Sequence, residues 1–513
     1  MAKGLSDIFE LDYNETLEKV KSTSHVETIA KKIEQNKVET LQQWMKDNKI
    51  SVGINIDEDT KRYYPNDTVL SNVLGLCGTD HSGIVGLEST YNSVLQGTPG
   101  KIVSSKGSDQ EEIPNAEETY ISAENGSDLT LTINFNIQSI VEKYLKQACV
   151  NLNAKKGGTC IAMNPKTGKI LAMADYPDYN LNTPFTPNDS LAKTYNSLSS
   201  DEKNDALHTM WKNKCVSDLY EPGSVFKLIT ASVALEEHVT TPDVEGDFVC
   251  NGYEQVADKK ISCWSTVPHG SLSLRKALEK SCNPALMQLG KRIGVSTLYK
   301  YYRAYGLFDT TGSNLYGESN SLFTKESSVA DVELATMSFG QRLNITPLQM
   351  ITAISAIAND GVLMKPMIVD KITNTDTGEI TEFKTKEIRQ VISKSTADNV
   401  KSMMESVVLE GSGYRVAEQA KGFSIGGKTG TSEPTSSTSK DGYTASFVAI
   451  SPVENTKIVL LVILKNPKGT LHNGGQIAAP TAGKMFSEIL TYMGIESGNK
   501  NEINNNLSES DLY

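Results

Sequence analysis

The sequence lacks any apolar run long enough to cross a membrane. A transmembrane helix needs roughly 18 or more consecutive apolar residues, whereas the best run, Ile458 to Leu464, has only the length of a strand. The N-terminus, Met1 to Glu10, also lacks the charged, apolar and small-residue regions of a signal peptide. The protein is therefore either soluble or attached through an anchor that lies upstream of this chain.

An excess of positive charge is missing as well. The 513 residues carry 50 Lys and Arg against 62 Asp and Glu, which gives a net charge of −12. Proteins that bind nucleic acids usually display a basic surface, so this balance argues against nucleic acid as the main partner. The remaining composition, 38% hydrophobic and 22% charged, is that of a globular protein with a core of normal size.

The pattern along the chain predicts an α+β domain after a different N-terminal region. Residues 1–60 are polar and helix-prone, and residues 61–101 are punctuated by glycines. Two apolar strands then join across a turn, helices occupy the middle, and two apolar strands return late, which predicts one antiparallel sheet built from both ends of the domain. The predicted strands are 159–163, 169–174, 442–450 and 457–465, and the main predicted helices are 137–152, 224–238, 271–280, 284–293 and 345–359.

A serine and a lysine three residues apart open one of these helices. Ser224 and Lys227 lie in the segment Glu221-Pro222-Gly223-Ser224-Val225-Phe226-Lys227, so their side chains share one helix face. An amine beside a hydroxyl can take its proton if burial lowers the lysine pKa. The spacing alone does not select this pair, because it also occurs at Ser200–Lys203, Ser273–Lys276 and Ser437–Lys440.

Two further motifs distinguish Ser224 from the other three serines. Ser281-Cys282-Asn283 lies between two predicted helices, and Lys428-Thr429-Gly430 precedes the late strands. Only the set that contains Ser224, Ser281 and Lys428 runs in the order Ser-x-x-Lys, Ser-x-Asn, Lys-Thr-Gly with each motif at the boundary of an element. This triple is typical of penicillin-binding proteins and class A β-lactamases.

The resemblance is to the class B, monofunctional penicillin-binding proteins, and among them to the elongation-type penicillin-binding protein 2 group. The matching segments are Arg62-Tyr63-Tyr64-Pro65 through Gly100, Asp218 to Ser224, Gly340-Gln341, Thr346 to Gln349, and Ala478-Ala479-Pro480. The resemblance implies an elongated, non-catalytic pedestal at residues 1–125. It also implies a penicillin-recognising serine transpeptidase domain at 126–495, with an antiparallel sheet flanked by helices and an all-helical subdomain. A polar tail at 496–513 is expected to be disordered.

The resemblance also implies a role for each motif residue in a peptidoglycan DD-transpeptidase. The enzyme would form an acyl-enzyme with a stem peptide, release D-Ala, and pass the acyl group to a second stem peptide. The implied residues are the nucleophile Ser224, the base Lys227, the proton relay Ser281, Asn283 as a partner of the lysine and the substrate amide, Lys428 with Thr429, Gly430 and Thr431 around the substrate carboxylate, and the backbone N–H groups of Ser224 and Thr431 as an oxyanion hole.

The expected partners follow from the same resemblance. They are D-Ala-D-Ala stem peptides, β-lactam antibiotics that acylate Ser224, and a glycan-polymerising membrane protein, with no nucleic acid. The expected location is the extracytoplasmic face of the cell membrane, held by an N-terminal anchor that this chain lacks. The alternatives are a DD-carboxypeptidase or β-lactamase-like hydrolase with the same motifs, and a non-catalytic penicillin-binding sensor or scaffold.

Four of the seven cysteines fall within 68 positions, namely Cys215, Cys250, Cys263 and Cys282, with His269 among them. Three interpretations stay open. The thiols are free and buried, Cys250 and Cys263 form a disulfide across a hairpin, or a structural zinc ion is held by Cys250, Cys263, Cys282 and His269. Asp218 or Cys215 could replace one of the zinc ligands. The chemistry itself needs no cofactor, so a metal here would only brace the loop that carries Ser281 and Asn283.

Overall fold

The computed structural model describes residues 1–24, 26–103, 119–433 and 442–498. Residues 104–118 and the Ser437–Lys440 pair lie outside the described residues, as does nearly all of the predicted tail at 496–513.

Short elements make up the N-terminal part. Its helices are α1 (Ala2–Phe9), α2 (Tyr13–Lys21), α3 (Gln35–Asp47), α4 (Ser71–Leu74), α5 (Gly86–Thr90) and α6 (Asn92–Leu95). Its strands are β1 (Leu76–Cys77), β2 (Gly83–Val85), β3 (Lys101–Val103) and β4 (Thr119–Ile121), which form two antiparallel pairs, β1 with β2 and β3 with β4.

The rest of the chain is larger and mixes helices with strands. Its helices are α7 (Phe135–Asn151), α8 (Asp189–Tyr195), α9 (Ser200–Trp211), α10 (Lys214–Ser217), α11 (Lys227–Glu236), α12 (Leu274–Glu279), α13 (Asn283–Ile293), α14 (Val295–Ala304), α15 (Asp331–Met337), α16 (Pro347–Ala358), α17 (Lys394–Glu410), α18 (Tyr414–Gln419) and α19 (Gly474–Tyr492). Its strands are β5 (Asp128–Leu131), β6 (Gly158–Met163), β7 (Ile170–Tyr176), β8 (Phe248–Cys250), β9 (Tyr253–Val256), β10 (Lys259–Ser262), β11 (Gly270–Leu272), β12 (Val362–Met364), β13 (Val369–Thr373), β14 (Ile380–Glu382), β15 (Glu387–Gln390), β16 (Gly426–Ser432), β17 (Thr444–Ser451) and β18 (Ile458–Lys465).

The main sheet is antiparallel throughout and has the strand order β16-β17-β18-β6-β7. The prediction of one antiparallel sheet assembled from both ends of the domain is therefore confirmed. Strand β18 lies at the centre, which explains its continuous apolar run, because every residue of it is buried. Strand β16 lies at one edge, so its outer side remains available to the cleft.

Helices cover both faces of this sheet. Alternate residues of β18 enter different cores: Leu461 packs in the core that contains Ile229 of α11, and Leu460 packs in the core that contains Phe486 of α19. This alternation is the normal consequence of the two-residue period of a strand. The sheet thus packs against α16 and α17 on one side, where α11 belongs to the same core, and against α7 and α19 on the other.

One predicted helix is wrong in its first part. The helix expected at 271–280 starts only at Leu274, because Gly270–Leu272 pair with β8 as strand β11. Ser273 then caps the helix, since its side chain accepts a hydrogen bond from the Lys276 backbone N–H. Within the described ranges, no helix combines enough length with enough apolar character to span a bilayer.

Candidate active site

Ser224 lies on a tight turn at the start of a buried helix. The turn Gly223–Phe226 is a single 3-10 turn, and α11 continues directly from Lys227. Side chains three residues apart eclipse each other in a 3-10 turn, so the geometry places the Ser224 and Lys227 side chains on the same side. Ser224 is half-buried and lines a cleft that residues of all three motifs share.

Two glycines allow the surrounding backbone to reach this turn. Gly223 has a φ of 53°, and a Cβ placed on it would lie 2.7 Å from the Thr431 carbonyl oxygen. A Cβ on Gly340 would lie 2.1 Å from the Gly223 carbonyl oxygen, and the Gly223 N–H donates to the Gly340 carbonyl at 3.0 Å. The strand that carries Thr431 therefore approaches the Ser224 turn closely because Gly223 lacks a side chain, and the loop after α15 does so because Gly340 lacks one.

Lys227 is fully buried and its amine bonds to the second motif. Its Nζ donates to the Ser281 carbonyl at 2.6 Å, to the Ser281 Oγ at 3.2 Å and to the Asn283 Oδ1 at 2.7 Å. Burial lowers the pKa of Lys227 to about 8, although the nearby thiols of Cys282 and Cys263 act in the opposite direction. About a tenth of the Lys227 amine is thus neutral at pH 7 and about half at pH 8, and this neutral form can act as a general base.

The Ser281 backbone has a conformation that β-carbon-bearing residues seldom adopt. Its φ is 50°, in the left-handed region. The residue sits between α12 and α13, where Cys282 is the residue that caps α13 and donates its N–H to the Ala277 carbonyl at 2.8 Å. This local strain, of a kind that concentrates at functional sites, turns the Ser281 hydroxyl toward the two lysines.

Lys428 reaches the same serine from the edge strand. It is fully buried on β16, and its Nζ donates to the Ser281 Oγ at 2.9 Å. Burial, followed by the charge of Lys227, holds the pKa of Lys428 well below its usual range. Two cations side by side in a buried site repel each other, so a proton on one amine disfavours a proton on the other. The Ser281 hydroxyl is bonded to both amines and can pass a proton between them.

Of the three residues that follow Lys428, two line the cleft and one packs against the Ser224 turn. Thr429 and Thr431 both line the cleft, as their two-residue spacing on a strand predicts. The Thr429 hydroxyl lies 3.0 Å from the Ser412 Oγ. Gly430 serves packing, because a Cβ on it would lie 2.9 Å from the Pro222 carbonyl oxygen and would push β16 away from the Ser224 turn.

Sequence reasoning missed several residues of the cleft. Ser412 comes from the loop between α17 and α18, and Tyr443 stacks on His472 with ring centroids 4.1 Å apart. These residues lie in loops or at strand ends and carry no spacing that marks them in the sequence. Trp264 and Tyr414 also line the cleft, and only the position of Trp264 beside a cysteine could have drawn attention to it.

The structure brings together the four residues proposed as metal ligands. The ligand atoms of Cys250, Cys263, His269 and Cys282 all lie within 4.8 Å of one another. Both the Cys250 and the Cys263 Sγ lie 3.6 Å from the His269 Nδ1. A tetrahedral zinc ion with bonds of about 2.3 Å to sulfur and about 2.05 Å to nitrogen separates the two ligand atoms by about 3.6 Å. The donor set and its spacing therefore fit zinc.

The Cys263 and Cys282 thiols also interact directly. A hydrogen bond from Cys282 is the main cause that lowers the pKa of the Cys263 thiol, and the same bond raises the pKa of Cys282. All seven cysteines are free, so the predicted alternative of a Cys250–Cys263 disulfide is not formed.

The two substitute ligands considered from the sequence are wrong. The Cys215 thiol donates to the Asp175 carboxylate at 3.4 Å, and Asp218 pairs with Lys212 at 3.0 Å and Lys465 at 2.8 Å. Neither belongs to the cysteine and histidine cluster. Both lie near the cluster in sequence but have other partners in the fold.

Comparisons with known proteins agree with this geometry. Residues 158–488 match the family described as the penicillin binding protein transpeptidase domain, and residues 1–131 match the penicillin-binding protein dimerisation domain. Stage V sporulation protein D of Bacillus subtilis is 33% identical over 461 residues, covering 88% of this chain and 67% of the relative. Peptidoglycan D,D-transpeptidase FtsI of Buchnera aphidicola is 31% identical over 460 residues, covering 88% and 73%.

Solved structures show the same likeness. The crystal structure of penicillin binding protein 3 from Mycobacterium tuberculosis, complexed with aztreonam, has a TM-score of 0.70 and 27% sequence identity to this chain. The match covers 85% of this chain and 91% of the chain in that crystal structure.

Proposed function

This chain belongs to the penicillin-binding protein transpeptidase family, in its class B branch, and we propose that it crosslinks peptidoglycan as a D,D-transpeptidase whose nucleophile is Ser224. One observation carries the serine mechanism. The Ser281 hydroxyl lies within 3.2 Å of Lys227 Nζ and 2.9 Å of Lys428 Nζ, which joins the three motifs in one buried network. The resemblance to the elongation-type group remains a prediction.

The first half of the reaction forms an acyl-enzyme. Lys227 takes the proton of Ser224, and the Ser224 Oγ forms a bond to the carbonyl carbon of the penultimate D-Ala. The backbone N–H groups of Ser224 and Thr431 stabilise the oxyanion of the tetrahedral intermediate. The C–N bond then breaks, and the terminal D-Ala leaves as an amine after it receives a proton through Ser281.

The second half transfers the acyl group. The amine of a second stem peptide attacks the Ser224 ester carbonyl and loses a proton to Lys227. The ester C–O bond breaks, a new amide bond is the crosslink, and Ser224 regains its proton. Lys428, Thr429 and Thr431 hold the terminal carboxylate of the donor beforehand, and a β-lactam occupies the same place and leaves a stable ester.

Product analysis separates this function from the hydrolase alternative. With a donor peptide that ends in D-Ala-D-Ala and an amine acceptor, we expect one D-Ala released for each crosslinked product, as measured by mass spectrometry. A protein that yields only the trimmed peptide, with water as acceptor, would be a carboxypeptidase. A Ser224→Ala sample is the control for background release.

The substrate also sets the proposed location and partner. Peptidoglycan lies outside the cytoplasmic membrane, so we place the enzyme at the extracytoplasmic face, with an anchor N-terminal to this chain. Crosslinking needs newly polymerised glycan strands, and a glycan-polymerising membrane protein is the proposed partner. Binding of the residue 1–131 region to such a protein is the direct test.

We propose in addition that Cys250, Cys263, His269 and Cys282 hold a structural zinc ion. The 3.6 Å sulfur to nitrogen separations and the burial of all three thiols support this assignment. Cys282 stands between Ser281 and Asn283, so the ion would tie the strained catalytic loop to the β9–β10 hairpin. The role of the metal is positional, since all groups that touch the substrate come from the chain.

Metal content tests this site. We expect about one zinc per chain in the purified protein, and a loss of most of it in Cys282→Ser, together with a drop in the melting temperature. Cys77→Ser is the matched control, because Cys77 lies in the N-terminal part beside Glu88 and should leave the zinc content unchanged. A protein without zinc, whose Cys250, Cys263 and Cys282 thiols all titrate freely, would contradict the site.

A further inference from the structure

Trp264 is a large aromatic side chain at the mouth of the catalytic cleft. It follows Cys263 directly, lines the cleft with Ser224 and Asn283, and is 42% exposed. Its indole Nε1 donates to the Lys280 carbonyl at 3.0 Å, and Lys280 immediately precedes Ser281. The ring is thus held beside the second motif although much of its surface faces solvent.

A purely structural role does not account for this exposure. The hydrogen bond to Lys280 uses only one edge of the indole, and the ring contacts His269 at a centroid distance of 6.0 Å. A tryptophan that serves packing alone is usually well buried. Aromatic side chains that are fixed in place but open to a concave site are, by contrast, typical contacts for ligands.

The position of Trp264 indicates which part of a ligand it would meet. Thr429 and Thr431 lie on β16 and are assigned to the donor carboxylate, whereas Trp264 is bonded to Lys280, the residue before Ser281, and lines the same cleft as Asn283. Asn283 is the residue assigned to the amide on the acyl side of the donor. The indole therefore lies near the group that this amide carries, which is the aromatic side chain in benzylpenicillin.

We infer that Trp264 determines specificity for the acyl donor, by packing its indole face against an apolar or planar group attached to the donor amide. The inference rests on the proposed function of the same site. It adds a residue that contacts the ligand without taking part in proton transfer. Its anchor points, Cys263 and the Lys280 carbonyl, belong to the two segments that the thiol cluster joins.

The test compares two penicillins that differ only in this group. Benzylpenicillin carries an aromatic acyl side chain, and 6-aminopenicillanic acid has the same bicyclic ring without it. We expect Trp264→Ala to lower the second-order rate constant for acylation by benzylpenicillin by about tenfold, the size of a lost aromatic contact. The rate with 6-aminopenicillanic acid should change by less than about twofold.

Further variants keep the test decisive. Trp264→Phe should restore most of the benzylpenicillin rate. If Trp264→Ala folds poorly, Trp264→Leu takes its place, because it keeps apolar bulk but lacks an aromatic face, and the same loss of about tenfold is expected. Tyr253→Ala is the matched control, because Tyr253 is an exposed aromatic residue on β9 that does not line the cleft. An equal loss of the acylation rate with both penicillins would show that Trp264 only supports the loop. No loss of the rate with either penicillin would also contradict the inference. Failure of the wild-type protein to react with either penicillin would instead count against the proposed function.

Discussion

Ser224→Ala should react with no β-lactam, whereas the wild-type protein should form one stable adduct per chain. Alanine has no oxygen with which to form the ester, so acylation falls below detection and is not merely slowed. Ser224 is half-buried and faces the cleft, so removal of its hydroxyl should change the free energy of unfolding by less than about 1 kcal/mol. Fluorescent penicillin labelling, with intact-mass measurement, reads the outcome.

The chain offers a matched control for this variant. Ser200 has the same three-residue spacing to a lysine, Lys203, and starts a helix as well, but it is exposed on α9. Ser200→Ala should label at the wild-type rate. Peptide mapping of the wild-type adduct should place it on Ser224 and leave Ser217, ten residues upstream of Lys227, unmodified. An adduct on any other serine, or labelling of Ser224→Ala, would refute the assignment of the nucleophile.

The comparison of Ser224 with Ser200 shows what the sequence could predict about the site. Ser224, Ser281 and Lys428 were identifiable because each motif lies at a boundary between elements and the three occur in a fixed order. The predicted cluster of Cys250, Cys263, Cys282 and His269 was also brought together, since these residues are close along the chain and a hairpin folds between the first two. Trp264, Ser412 and Tyr443 reach the cleft from separate loops, and no local pattern records such contacts.

The fold shows the same division between local and long-range information. Strands 159–163 and 457–465 were predicted because continuous apolar runs of this length indicate buried strands. The pairings of β5 with β13 and of β8 with β11 were not, because these strands are short and their partners are far apart in sequence or separated by another hairpin. The Lys-Thr-Gly motif was expected to precede the strands, but it lies within the edge strand β16, whose sequence is rich in glycine and threonine. Low strand propensity there is overridden by pairing along its whole length with β17.

Substitution of Lys227 should have the second largest effect on acylation. The prediction is specific because the rate should depend on whether the residue at position 227 can lose its proton. Lys227→Ala should slow acylation by benzylpenicillin by about a thousandfold, the usual contribution of a general base. Lys227→Arg should be almost as slow, because arginine keeps the positive charge but does not deprotonate in proteins. Lys203→Ala, at the comparison motif, should leave the rate unchanged. An arginine variant near the wild-type rate would mean that position 227 supplies charge and not a base.

The pH dependence of the wild-type enzyme follows from the same lysine. Burial lowers the pKa of Lys227 to about 8, and only the neutral amine can take the Ser224 proton. The acylation rate constant should therefore rise as the pH increases through about 8 and level off above it, with about a fivefold gain between pH 7 and pH 8. Lys428, whose pKa is also lowered, and the thiols of Cys263 and Cys282 face the same amine. Their charges can displace the midpoint but cannot reverse its direction, so a rate that is flat or that falls from pH 6 to pH 9 would show that Lys227 is not the base.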